Sequence, residues 1–149
     1  MNQLKIGELA AYTGCLVETI RYYERIGLLA APTRSEKNYR LYNEAHAERL
    51  QFIRHCRSLD MTLDEIRSLL NFRDAPEGNC TGVNTLLDKH IDHVAHRIGE
   101  LKALQLQLKK LRGRCLSVQS TQNCGILQGL TDAEDTAPKN LGSHGGGCH

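Results

Sequence analysis

From Cys80 to Cys124 the chain carries one long helical pattern bounded by thiols. Leu87, Ile91, Val94, Ile98, Leu101, Leu104, Leu108 and Leu111 recur at three- and four-residue steps, the spacing of a coiled-coil seam. No proline interrupts the run, so the spacing predicts a single helix from Val83 to Gly113, roughly 45 to 50 Å long at about 1.5 Å per residue. Such a rod separates Cys80 from Cys115 within one chain. A soft-metal ion needs each thiolate at about 2.3 Å, so Cys80 can join Cys115 and Cys124 only if a second copy runs antiparallel beside the first. The pattern therefore predicts an antiparallel homodimer with two shared thiolate sites.

The rest of the composition is compatible with that architecture. A chain of 149 residues with 40% hydrophobic content can bury a modest core in one or two small units. No stretch approaches the roughly 18 consecutive apolar residues of a membrane span, and the N-terminus lacks the apolar core of a secretion signal, so a cytoplasmic location is expected. In a reducing compartment six cysteines are expected as thiols, metal ligands or packing groups rather than disulfides. The net charge of +2 is small, but residues 21–57 hold eight Lys or Arg against four Glu, so basic charge gathers near the front.

That front segment has the pattern of a small nucleic-acid reader. Ile6, Leu9 and Ala10 share a helical face that Gly14 breaks, and a second short helix is expected from Val17 to Ile26, stopped by Gly27. Two short helices joined by a tight turn make a helix-turn-helix, whose second helix can enter a major groove. On it Ile20 and Tyr23 face inward, leaving Glu18, Arg21, Tyr22 and Arg25 outside. Next, Pro32 to Glu36 reads as a polar turn, and Lys37-Asn38-Tyr39-Arg40-Leu41-Tyr42 alternates like a short strand. Such a wing could lay Arg34, Lys37, Asn38, Tyr39 and Arg40 along phosphates.

The run TIRYYERIGLL, Thr19 to Leu29, followed by Asn38-Tyr39-Arg40-Leu41-Tyr42, closely resembles the MerR family of bacterial transcriptional regulators. The resemblance extends to about Leu130. It implies a mainly α fold, with a winged helix-turn-helix followed by a long antiparallel coiled-coil dimerisation helix and a C-terminal metal-binding loop. It also implies a homodimer on double-stranded promoter DNA that distorts an overlong spacer so that RNA polymerase can open it, with Thr19 joining the DNA-contacting residues. Four segments follow: 1–72 with the reader and connecting helices, 73–114 with a loop and the dimerisation helix, 115–130 with the metal loop and a short helix, and a His/Gly-containing tail over 131–149. Between reader and rod, a helix from Glu44 to Leu59 capped by Asn43, and one from Leu63 to Phe72 opened by the Thr62/Glu65 capping box, are expected to connect DNA-binding and sensor regions.

Cys80, Cys115 and Cys124 all border loops, where ligands are held, and soft sulfur favours cadmium, lead, mercury or zinc over magnesium or calcium. Within the resembled family, a cysteine at the place of Cys80 goes with divalent metals, and serine there with copper and silver. Leu116 stands where the zinc sensors carry a further cysteine, and Cys124 to Leu130 resembles the CadR- and PbrR-type regulators. That likeness implies Cd(II) as the first inducer and Pb(II) as the second, with Hg(II) and Zn(II) weaker. His90, His93 and His96 recur every three residues, and the chain ends in Ser143-His144-Gly145-Gly146-Gly147-Cys148-His149. His90, His93, His144, Cys148 and His149 form a candidate second metal site beside the bland alternative of a solvated polar face and a Gly-rich tail. Cys15 and Cys56 are expected to pack.

Other classes fit less well. A thiol enzyme would show a CxxC motif, a cofactor loop or an acid–base constellation, none of which accompanies these cysteines. An iron–sulfur redox sensor of the same family would need four closely spaced cysteines after the long helix, where only Cys115 and Cys124 stand before the tail. A drug sensor of the family would need a large C-terminal ligand domain.

Overall fold

The computed structural model describes residues 3–132. The chain divides into two compact units, one running to Leu86 and the other beginning at Leu87.

In the first unit, α1 (Ile6–Thr13) and α2 (Val17–Arg25) are joined by a turn in which Gly14 takes φ 71°, the left-handed conformation that L side chains resist. Ile20 and Tyr23 point into the core, as their spacing requires, while Glu18, Arg21, Tyr22 and Arg25 remain exposed. After α2, Gly27 at φ 80° turns the chain back so that Leu28 and Leu29 are buried. This return segment is held by cationic side chains on its carbonyls. Arg49 Nε donates to Leu28 O at 2.6 Å, and Arg67 Nη2 donates to Ile26 O at 2.7 Å.

The wing is tighter than the alternation suggested. β1 (Thr33–Arg34) pairs antiparallel with β2 (Arg40–Leu41), so Thr33 and Arg34 are strand residues rather than turn, and Lys37 to Tyr39 lie in the connection. Asn38 at φ 67° closes that connection, a conformation asparagine tolerates better than most residues. Beyond it, Tyr42 bridges back to Leu4 and is fully buried.

α3 (Glu44–Ser58) and α4 (Leu63–Arg73) cover this layer. Both are capped where the sequence indicates. Asn43 Oδ1 accepts from the His46 N–H at 3.2 Å, and Thr62 and Glu65 exchange hydrogen bonds at 3.0 and 3.1 Å. Leu50, Ile53, Ile66 and Leu70 are buried beside Leu9, Ile20 and Tyr23 in one core, which Cys15 and Cys56 also join. Burial pushes the Cys56 thiol above its ordinary pKa, as suits a packing residue.

α5 (Thr81–Arg112) is a single helix of 32 residues, about 48 Å at the standard rise. It begins two residues before, and ends one residue before, the expected bounds. Its first turn lies so close to Phe72 that a Cβ on Gly82 would meet that ring at 2.4 Å. From Leu87 onward the seam residues Leu87, Ile91, Val94, Ile98, Leu101 and Leu108 are all exposed. After α5 come a 3-10 turn at Thr121–Asn123 and α6 (Gly125–Thr131). No helix among the described residues is long and apolar enough to cross a membrane.

Candidate nucleic-acid interface and metal centre

The reader surface is built from α1, α2 and the wing. Arg21 and Tyr22 project from the exposed side of α2, with Arg25 stacked over the Tyr22 ring at 5.4 Å. Glu18 is exposed on the same helix and Thr19 is half-buried. On the wing, Arg34 Nη1 donates to Asn38 O at 3.1 Å, which closes the connection, while Lys37, Asn38 and Tyr39 are exposed. Arg21, Arg34, Asn38, Tyr39 and Arg40 line one cleft of about 570 Å³, and it also takes in Lys5 and Gly7 of the α1 start. Lys5 Nζ sits 5.1 Å from the centre of the Tyr39 ring.

A part-buried strut fixes the wing to the reader helix. The Tyr42 hydroxyl donates a short hydrogen bond to Glu24 Oε1, and Arg40 Nε lies 3.9 Å from Glu24 Oε2. Burial, then the Glu24 carboxylate, raise the Tyr42 pKa, so the hydroxyl keeps its proton and the link. Glu24 was not among the residues singled out by sequence, because it reads as one more charge on an exposed helix.

The second unit brings two of the three expected thiols together. Cys124 precedes Gly125 at the start of α6. Its sulfur is influenced by the backbone N–H groups of Leu127 and Ile126 and by the Cys115 thiol, with the Arg112 cation nearby. These donors, Leu127 first, hold the Cys124 thiol below the ordinary thiol pKa. Cys115 Sγ also lies 3.5 Å from Ser117 O, and Arg112 Nη1 donates to Cys115 O at 2.8 Å. The close fit of α6 depends on Gly125, where a Cβ would stand 2.6 Å from Arg114 O.

Cys80 is exposed immediately before α5, its carbonyl accepting from the Asn84 N–H at 2.9 Å. Helix α5 thus carries Cys80 at one end and Cys115 beyond the other. His90 and His93 are on α5 three residues apart. His144, Cys148 and His149 lie outside the described residues. The donor chemistry suits a soft cation: two neighbouring thiols, with the acidity of Cys124 raised, offer soft sulfur ligands at one place. Arg112, Gly125 and the amides of Ile126 and Leu127 escaped sequence reasoning, and the only signal for them is a cysteine placed where a helix N-cap stands.

Sequence models of the MerR HTH family regulatory proteins and of the MerR DNA-binding region match residues 4–72 and 47–111. An HTH-type transcriptional regulator, a ZntR homolog from Haemophilus influenzae, is 51% identical over 114 residues, spanning 76% of this chain and 84% of that protein. The chain belongs to the MerR family. This MerR-family chain is also similar to the solved transcription regulator PbrR691 from Ralstonia metallidurans CH34 in complex with lead(II). The two are 54% identical with a TM-score of 0.75, over 85% of this chain and 98% of that one. A second solved relative, the dual function regulator MerR from Bacillus megaterium MB1 in complex with mercury(II), is 35% identical with a TM-score of 0.67, over 86% and 99% of the two chains. These relatives are transcription regulators, not enzymes, and the mainly helical winged helix-turn-helix fold with its long helix is the architecture they share.

Proposed function

We propose that this MerR-family regulator is a cytoplasmic, metal-responsive activator. It binds double-stranded promoter DNA as a homodimer and, on taking up Cd(II), distorts the promoter so that RNA polymerase transcribes metal-resistance or efflux genes. Pb(II), Zn(II) and Hg(II) are the other candidate inducers. The observation that carries the metal half is the pair of neighbouring Cys115 and Cys124 thiols beside α6, with the Cys124 pKa lowered. Lead(II) and mercury(II) in the two solved relatives support a soft cation.

In this reading Cys80 of the partner chain supplies the third thiolate, since about 48 Å of helix keeps Cys80 from the Cys115 of its own chain. The exposed seam of α5 supports pairing with a second copy, because a stripe of six large apolar side chains on one helix far exceeds scattered surface hydrophobics. Functionally, 1–72 reads DNA and connects, 73–114 dimerises, 115–130 binds metal and 131–149 is a tail. His90 and His93 with His144, Cys148 and His149 would make the weaker second site. Glu18, Thr19, Arg21 and Tyr22 would meet the groove and backbone, with Arg34, Lys37, Asn38, Tyr39 and Arg40 on the phosphates.

The shared site is tested by ligand complementation. Homodimers of Cys80→Ser, and of the double variant Cys115→Ser, Cys124→Ser, should each lose tight cadmium binding. A heterodimer of the two, purified through separate tags, concentrates the lost ligands in one site and restores three cysteines to the other. It should recover about one tight site. A folded, DNA-binding heterodimer without tight cadmium binding would exclude the shared site.

A further inference from the structure

The cleft of about 570 Å³ between α1 and the wing has features that the wing and reader helix do not explain. Its cationic lining comes from Lys5, Arg21, Arg34 and Arg40, against the single carboxylate of Glu8. That carboxylate is already engaged, accepting from the Lys5 backbone N–H at 3.0 Å. Arg40 is drawn toward Glu24 and Arg34 toward the Asn38 carbonyl. Lys5, like Arg21, pairs with no carboxylate among the described residues, and its ammonium is held over the Tyr39 ring.

Gly7 is the second feature. It stands within α1, where glycine is a poorer helix former than alanine, and nothing lies within 4 Å of where its Cβ would be. The turn glycines Gly14 and Gly27 have positive φ that explains them, but Gly7 has neither strain nor a close neighbour. The fold therefore gives no reason for the missing side chain. The open face of Gly7 belongs to the cationic cleft, which supplies one: a bulky anion approaching the backbone from outside.

We infer that this cleft seats a phosphate of the DNA backbone, with Lys5 as its cationic partner and Gly7 left bare so that the sugar–phosphate chain can close on α1. The inference rests on the DNA-binding half of the proposed function and extends it to two residues outside the wing and reader helix. Phosphate contacts of this kind fix register and carry no sequence information, so the contribution is to affinity at every sequence.

The test uses the full chain and a labelled duplex of about 30 base pairs of arbitrary sequence, titrated across a range of salt concentrations. Lys5→Gln should weaken binding and reduce the slope of log K against log salt by about 0.9, the loss of one phosphate contact. Gly7→Ala should melt at a higher temperature than wild type, because alanine favours the helix, yet bind the duplex about tenfold more weakly or worse. A more stable protein that binds less well cannot be explained by damage to the fold. An unchanged salt slope in Lys5→Gln, or wild-type binding by Gly7→Ala, overturns the inference while leaving the DNA-binding reading intact. A wild-type protein that fails to bind the duplex at low salt overturns both. Thermal stabilisation by inorganic phosphate at fixed ionic strength, lost in Lys5→Gln, would assign the cleft to a free anion and likewise overturn it.

Discussion

Cys115 and Cys124 are neighbours at the start of α6, where the Leu127 and Ile126 amides, then the Cys115 thiol, lower the Cys124 pKa. Cysteine is here in the place that serine or aspartate usually takes at a helix start, and the placement favours the ionised sulfur. A pH dependence follows for the metal-free protein. Because the folded pKa of Cys124 lies below its unfolded value, the extra stability of the loop is present above the unfolded thiol value and is lost as pH falls through the folded one. Thiolate absorbance of a variant retaining only Cys115 and Cys124 should show one group ionising below the ordinary thiol range. Replacing Cys115 with serine should move that ionisation only in part, since the Leu127 and Ile126 amides remain the larger causes. Ionisation at the ordinary thiol value would contradict the influence of the α6 amides on Cys124.

The two glycines of α6 separate backbone from side-chain crowding. A Cβ at Gly125 would lie 2.6 Å from the Arg114 carbonyl oxygen, whereas at Gly129 the nearest atom is the far end of the Arg114 side chain, which can swing away. Gly125→Ala should therefore force α6 off the loop, at a cost of about 1 to 3 kcal/mol by analogy with overpacked cores. Gly129→Ala should be nearly silent. Competition titration with a chromophoric chelator should show weakened metal binding for the first variant and near wild-type binding for the second. The reverse order would mean that α6 is not what holds Cys124 in place.

The sequence foretold the rod and the core more faithfully than it foretold the site. Periodicity and the absence of proline were enough for α5, because both signals are local to the helix itself. The caps at Asn43 and Thr62 were legible for the same local reason, although His46 rather than a glutamate completes the first. Its Nδ1 accepts from the Asn43 N–H at 3.1 Å. Alternation misjudged the wing, since Lys37, Asn38 and Tyr39 look like strand residues until Asn38 turns to positive φ. The Glu24–Tyr42 strut and the lowered pKa of Cys124 were hidden because each depends on three-dimensional proximity or backbone amides, neither of which has a residue signature.

The last prediction concerns the direction of the seam. If Cys80 of one chain meets Cys115 of the other, positions in the two antiparallel helices pair so that their numbers add to the same total, which sets Leu87 opposite Leu108 of the partner. Both side chains are exposed on α5, at 44% and 56%. Leu87→Glu alone and Leu108→Lys alone should each loosen the dimer, since a charge would replace an apolar knob. Combined in every chain, the two substitutions face each other twice across an antiparallel dimer. They should then show a favourable coupling of roughly 0.5 kcal/mol or more in a double-mutant cycle of dimer dissociation. In a parallel pairing each glutamate would face its own copy, like charges would repel, and the double variant would be no better than the sum of the single losses. Sedimentation equilibrium of the four proteins decides between them. Additive or worse destabilisation would exclude the antiparallel register and, with it, the thiolate set that depends on it.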